Sequence, residues 1–302
     1  MTTKRTAILL ASATAFIWGL SFLSIKTAVA VIPPMSLGLA RFVVAGAVFV
    51  VIFVAMRKRP RLAARDIPLM AGTGLVGITL YFVGENNGIM LLSASEASII
   101  VGSIPVLTML AERVFMKAGL TRLQYGGAAM SAAGVALMVV ESLRLSAAPL
   151  GYLYMGIAAL AWVAYAILTR PLFEKYESLE ISFWQSLFGA AGFVPLALSE
   201  KVEWAAITPV IVANVLYLGI FCSALGYLFY VISLQTLGAG VSSVFINLIP
   251  VVSVAASFVV LGERLSPAQL AGGAVAVAGV YLTSLSRPGN RRTAASKPRK
   301  PQ

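Results

Sequence analysis

The 302 residues are 59% apolar and 11% charged, with a mean hydropathy of +0.91. Soluble domains carry about 25% charged residues, so a soluble globular fold is excluded and lipid is the solvent this surface requires. The formal charge of +12 is confined to particular loops, which excludes nucleic acid as its cause and makes it a record of topology. Histidine is absent and Cys222 is the one cysteine. That excludes an intramolecular disulfide, a cysteine-based metal cluster, the usual general base and the commonest metal ligand. No cofactor or metal is expected.

Ten apolar segments follow along the chain, at roughly 6–28, 34–56, 67–91, 96–116, 121–141, 150–170, 180–199, 209–234, 240–261 and 267–286. About twenty residues at 1.5 Å each cross a hydrocarbon layer of about 30 Å, so each segment is predicted to be a transmembrane helix. The fold class is an all-α polytopic membrane protein of ten such helices. The first segment has the outline of a secretion signal, with Lys4-Arg5 before it and Ala28-Val29-Ala30 at its end. It is expected to be retained, because it is long enough to span and carries Trp18 and Lys26. Loop charge sets orientation. With a cytoplasmic N-terminus, 18 of the 23 Lys and Arg fall in the cytoplasm: Lys4, Arg5, the loop around Arg57–Arg65, the turn around Lys117, Arg170 with Lys175, and the tail. Arg144, Lys201 and Arg264 fall opposite, and Lys26 and Arg41 lie within segments. The bias predicts both termini in the cytoplasm of a bacterial inner membrane. Residues 287–302 are basic and lack large apolar residues, and are expected to be a disordered tail resting on anionic lipid.

The layout recurs after about 145 residues: Pro105 corresponds to Pro250, Gly126-Gly127 to Gly272-Gly273, and Gly134 nearly to Gly279. Two five-helix repeats are predicted, 6–141 and 150–286. An odd number of spans makes the second repeat enter the membrane from the opposite side, so the repeats are inverted, a design associated with alternating-access transport.

Chemistry-bearing residues are few. Gly72-Thr73-Gly74-Leu75-Val76-Gly77 has the letters of a dinucleotide fingerprint but lies in a membrane segment with no strand before it. No phosphate-binding GxxxxGK[ST] sequence occurs, and Asp66 is the one aspartate, so an enzyme is not expected. Ionisable groups within spans carry more information, because each is expensive against lipid. Lys26, Arg41 and Glu85 all fall in the outward half of the membrane. Glu85 could pair with either cation, as an outer gate or beside a substrate, and Lys26 could snorkel to headgroups. With no histidine, Glu85 is also the one candidate proton carrier. Glu112, next to Arg113, is read as interfacial. Polar and aromatic residues at helical spacing mark a wet cavity: Trp18 and Ser21, Tyr81 with Glu85 and Asn86, Ser98, Trp162 and Tyr165, Tyr227 and Tyr230, and Ser243 with Asn247. Trp18 and Trp162 hold equivalent places in the two repeats. Pro105 and Pro250 each remove a backbone hydrogen bond at matching places, as a static kink or as a hinge.

Trp18-Gly19, Phe22, Ile25-Lys26 and Arg41-Phe42, with the Leu237–Ile249 stretch, Pro250, Gly262-Glu263-Arg264-Leu265, Gly272 and Gly279, resemble the ten-helix EamA branch of the drug/metabolite transporter superfamily. Within it the chain is most similar to the YddG-type amino acid exporters of bacteria. Met116-Lys117-Ala118 stands where the first repeat would carry Gly-Glu-Arg, a helix-end device. The resemblance implies a cavity lined by helices 1, 3, 4, 6, 8 and 9, with helices 5 and 10 peripheral and closely packed through small residues such as Gly127, Ser131, Gly272 and Ala276. The expected activity is export of small amphipathic metabolites, amino acids including aromatic ones. The partners are that small molecule and membrane lipid, not nucleic acid. Within transport, a nucleotide-sugar or phosphometabolite carrier and a multidrug or cation exporter are the rivals; a membrane scaffold or integral membrane enzyme is more remote.

Overall fold

The structure, a computed structural model, describes residues 2–92, 94–117, 120–140, 148–261 and 266–285. Each apolar segment is helical over most of its length, and no strand occurs among the described residues. The helices are α1 Lys4–Val29, α2 Pro34–Ala55, α3 Ile67–Leu91, α4 Ala94–Met116 and α5 Arg122–Val139, then α6 Pro149–Leu168, α7 Ser178–Ala197, α8 Pro209–Leu237, α9 Ala239–Leu261 and α10 Pro267–Leu285. Local chemistry sets their ends. Proline opens α2, α6 and α8, where its missing N–H is no loss. Thr121 and Gln124 form a reciprocal cap on α5, and Glu177 and Glu180 do the same for α7. Gly238, at φ +88°, makes the break between α8 and α9 that a side chain would resist.

Among the described residues, six helical stretches are long and apolar enough to cross a membrane: Lys4–Val29, Pro34–Ala55, Ala64–Leu91, Pro149–Glu174, Pro209–Leu237 and Pro267–Leu285. The outer surface carries exposed Val51, Val54, Val114, Phe115, Leu153 and Leu270. Large apolar side chains exposed in such number suit a surface that faces lipid. The molecule is a multi-pass membrane protein.

Contacts between the halves come in exchanged pairs. Helix α1 packs against α8 and α9 of the second half, and α6 packs against α3 and α4 of the first. Helix α2 likewise packs against α8, and α7 against α3, while corresponding helices also meet, α2 with α7, α4 with α9 and α5 with α10. The α2–α7 and α5–α10 pairs are antiparallel. Gly38, early in α2, meets the Phe193 ring late in α7, while Phe53, late in α2, meets Phe183 early in α7. Gly127 lies against Gly279 and Thr283, and Gly134 against Gly272 and Ala276.

Two backbone features escape the apolar pattern. Helix α3 widens into a π turn over Leu75–Leu80, and α8 does so over Leu218–Gly226, at matching places in the halves. Helix α9 tightens into a 3-10 turn at Phe245–Asn247, just before Pro250. Pro105 lies within α4.

Glu112 corrects an expectation. It is buried rather than interfacial, and its Oε1 and Oε2 accept from the Ala239 and Gly240 amides, each at 2.9 Å. The positive end of α9 has unpaired N–H groups that a carboxylate satisfies. The Gly262-Glu263-Arg264-Leu265 sequence, Arg144 and the 287–302 tail lie outside the described residues.

Candidate functional site

Between the halves lies a cavity in which about 40 Å³ can hold the centre of a water molecule, within about 470 Å³ of empty space that includes open solvent. Helix α1 contributes Trp18, Ser21 and Ile25, and α6 contributes Trp162. Arg41 comes from α2, Tyr81, Phe82 and Glu85 from α3, and Tyr227 from α8. Aliphatic side chains of α4 and α9, Val101, Ile104, Ile246 and Ile249, complete the wall.

The aromatic part is a mutually packed cluster. Trp18 and Trp162 meet edge to face with centroids 5.4 Å apart, and Tyr81 lies 4.9 Å from Trp162. Their polar tips are tied into the protein. Trp18 Nε1 donates to the Cys222 carbonyl at 3.0 Å, Trp162 Nε1 to the Tyr230 hydroxyl at 3.1 Å, and Tyr227 Oη to the Gly77 carbonyl at 3.1 Å. Cys222 and Gly77 lie inside the two π turns, whose altered ladder presents carbonyls sideways. Glycine is needed at both, since a Cβ on Gly77 would strike the Tyr165 ring and one on Gly226 the Trp18 indole. Of the glycines in the false dinucleotide fingerprint, Gly74 and Gly77 are thus points of close helix approach, Gly74 meeting the Gln185 backbone, while a Cβ on Gly72 would meet nothing within 4 Å.

The two charged groups on the wall are held apart. Arg41 is 2% exposed; its Nε donates to Ser223 Oγ at 2.8 Å, and its guanidinium lies 4.3 Å from the centroid of the Phe82 ring. Its Nη1 is buried without a hydrogen-bond partner. Glu85 is 7% exposed and its Oε1 accepts from Tyr81 Oη at 2.7 Å. No ion pair within 4.0 Å joins Arg41 to Glu85; the pairs among the described residues are Lys58–Glu177, Arg65–Asp66 and Lys175–Asp66, all outside the cavity. Of the two cations weighed against Glu85, Lys26 is exposed in the last turn of α1 and only Arg41 shares the cavity.

The structure therefore brings Trp18, Ser21, Arg41, Tyr81, Glu85, Trp162 and Tyr227 onto one wall. It sets other expected lining residues one layer behind. Tyr165 Oη donates to Gln185 Oε1 at 3.0 Å, and Gln185 Nε2 reaches Thr73 and Thr169, a buried knot joining α3, α6 and α7. Tyr230 supports Trp162 from below, Asn86 Nδ2 donates to the Pro34 carbonyl, and Ser243 Oγ donates to the Gly240 carbonyl. Asn247 is fully buried, its amide oxygen and nitrogen both unpartnered. The Ser98 side chain lies outside the described residues. Ser223, Gln185 and Glu112 were not singled out as site residues; lone polar residues in apolar runs, they mark buried hydrogen bonding without naming the partner.

A family model for EamA-like transporters matches residues 5–140 and again 149–285. The chain belongs to the EamA-like transporter family. A relative from Streptantibioticus cattleyicolor, named a probable terminal-alkyne amino-acid exporter, is 32% identical over 244 residues, covering 80% of this chain and 81% of its own. An uncharacterized transporter of Archaeoglobus fulgidus is 26% identical over 270 residues, 89% of this chain and 95% of its own. A crystal structure at 19% identity superposes with a TM-score of 0.80 over 92% of this chain and 98% of the other, which shows the shared fold. The protein is a membrane transporter of the EamA family.

Proposed function

We propose that this EamA transporter exports small amphipathic metabolites, amino acids including aromatic ones, from the bacterial cytoplasm across the inner membrane. The observation that carries the reading is the aromatic cavity between the halves, walled from both by the corresponding Trp18 and Trp162. Indole and phenol faces accept an apolar side chain, and the few polar groups among them orient a polar head. A phosphorylated solute would need more than the one guanidinium present there.

The mechanism is alternating access between two inverted five-helix repeats, all ten helices crossing the membrane and both termini in the cytoplasm. The exchanged packing supports it. A two-fold axis that makes α2 antiparallel to α7, and α5 to α10, must run across the helices, in the membrane plane. Pro105 and Pro250, in the corresponding helices α4 and α9, act as hinges that open the cavity to opposite sides. Binding itself supplies the recognition, and the cycle forms no covalent bond.

Flux from proteoliposomes tests the proposal. Vesicles containing the purified protein and loaded with labelled phenylalanine or leucine should empty faster than protein-free vesicles. Equal retention in both would refute the export reading.

A further inference from the structure

Resting on that reading, we propose that Arg41 and Glu85 form a dipolar subsite that selects solutes carrying a free carboxylate and a free ammonium together, with an apolar side chain lying among Trp18, Trp162 and Tyr227. The argument starts from what Arg41 lacks. A guanidinium offers five N–H donors in a fixed fork. Here Ser223 Oγ takes Nε and the Phe82 ring covers one face, while Nη1 is buried with no acceptor. A buried charged donor without a partner is unstable enough that native structures supply one, in the protein, in ordered water or in a ligand. Glu85, on the same cavity wall, is not close enough to be that partner. The fork matches a carboxylate, which takes two parallel N–H bonds in its plane.

Glu85 supplies the opposite pole. Tyr81 Oη donates to its Oε1 and fixes its direction, and the carboxyl accepts no other hydrogen bond among the described residues. An ammonium there would be neutralised by Glu85 and would lie near the Tyr81 and Trp162 rings, whose centroids are 4.9 Å apart and whose faces attract cations. Ser223 and Phe82 act as positioning residues, holding the guanidinium so that it neither collapses onto Glu85 nor turns from the cavity. A charge pair built into the protein but left open requires a ligand with both charges. Such a ligand leaves no pole unpaired, whereas a lone amine or a lone acid leaves one buried charge unmatched.

The test uses the full-length protein, with binding read by titration calorimetry in detergent and transport by counterflow of labelled phenylalanine in proteoliposomes. The competitors are phenylalanine, phenethylamine, phenylalaninamide and N-acetylphenylalanine. In the wild type the three analogues should compete about 10- to 100-fold more weakly than phenylalanine, the difference a lost charged hydrogen bond makes. Arg41→Gln should erase the preference over phenethylamine while keeping that over N-acetylphenylalanine, and Glu85→Gln should do the reverse. Equal competition by all four compounds in the wild type would overturn the subsite, whether or not the variants fold, and leave export of amphipathic solutes standing. Selective calorimetric binding without counterflow would instead support the subsite and count against the transport reading.

Discussion

Gly126 and Gly127 are neighbours in α5, yet alanine should act on them in opposite directions. A Cβ on Gly126 meets nothing within 4 Å. There Gly126→Ala should raise stability by up to about 1 kcal/mol, the helix-propensity difference. A Cβ on Gly127 would sit 2.7 Å from the Gly279 carbonyl oxygen and 2.8 Å from the Thr283 nitrogen, and against Thr283 Oγ1. Thr283 Oγ1 is already bonded to Gly279 O at 3.0 Å, so it has no free direction in which to retreat. The backbones of α5 and α10 must separate, and a gap of about 0.5–1 Å forfeits a quarter to a half of each contact's attraction. Overpacking of this kind lowers stability by about 1–3 kcal/mol, which outweighs the propensity gain. The second half repeats the experiment: Gly272 faces Gly134 and the Met138 backbone, whereas a Cβ on Gly273 would find its nearest neighbours at 3.8 Å. Thermal unfolding midpoints of the four purified single variants in one detergent would check this. Gly127→Ala and Gly272→Ala should fall below the wild type, and Gly126→Ala and Gly273→Ala should not. A Gly127→Ala variant as stable as Gly126→Ala would refute the close-packing argument.

Two further outcomes follow from the cross-half contacts. Glu112→Ala removes both acceptors from the first turn of α9 and should lower stability by about 2 kcal/mol, toward the low end because a polar cavity beside Glu112 lets water reach the freed amides. Hydrogen exchange at Ala239 and Gly240 should accelerate; unchanged protection would show that the carboxylate is not what holds that turn. Pro105→Ala and Pro250→Ala each restore a helix N–H and should stabilise their helices by up to about 3 kcal/mol. If α4 and α9 bend during transport, at least one variant should slow counterflow at undiminished protein level, and unchanged rates in both would count against hinging.

The sequence made the helices legible because lipid imposes one rule, a long run of apolar residues, on every segment. Side-chain identity carried less. Trp18, Tyr81, Glu85 and Trp162 could be singled out because aromatic and charged groups within a membrane run need a reason, and they do share one cavity wall. Tyr165 and Tyr230 looked equivalent to them, yet their hydroxyls are tied one layer back. Helical spacing gives the face a residue occupies but not the depth at which its tip finds a partner. The π turns at Leu75–Leu80 and Leu218–Gly226 were hidden for a related reason. One extra residue in a turn leaves hydropathy unchanged, and only the glycines at 74, 77, 219 and 226 hint at a departure. Glu112 was misread because its neighbour Arg113 suggested the interface, whereas its partners are backbone groups 127 and 128 residues away.

Where the strong contacts lie gives the proposed cycle a frame. When two repeats related by a two-fold axis exchange conformations, a contact between corresponding helices maps onto itself, while a contact between unlike helices is swapped for its mate. The close glycine packing of α5 with α10 belongs to the first kind. So do the clamps on α2 and α7. Glu200, beyond the end of α7, accepts from the Met35 and Ser36 amides and the Ser36 hydroxyl, and at the opposite end of the pair Lys58 meets Glu177 while the Arg61 amide donates to Glu180. The cavity instead draws most of its wall from α1, α3, α4, α6, α8 and α9, which make contacts of both kinds: α1 with α8 and α9, and α6 with α3 and α4, are exchanged pairs, whereas α4 with α9 and Trp18 with Trp162 join corresponding helices. In the proposed cycle the glycine-packed α5–α10 pair is the contact that maps onto itself, and the α1 and α6 packings are the ones that are swapped. The one lining residue from outside those six helices is Arg41, which projects from α2 into the cavity and is tied there to Ser223 of α8, so the charge proposed to hold the substrate bridges a helix of each half.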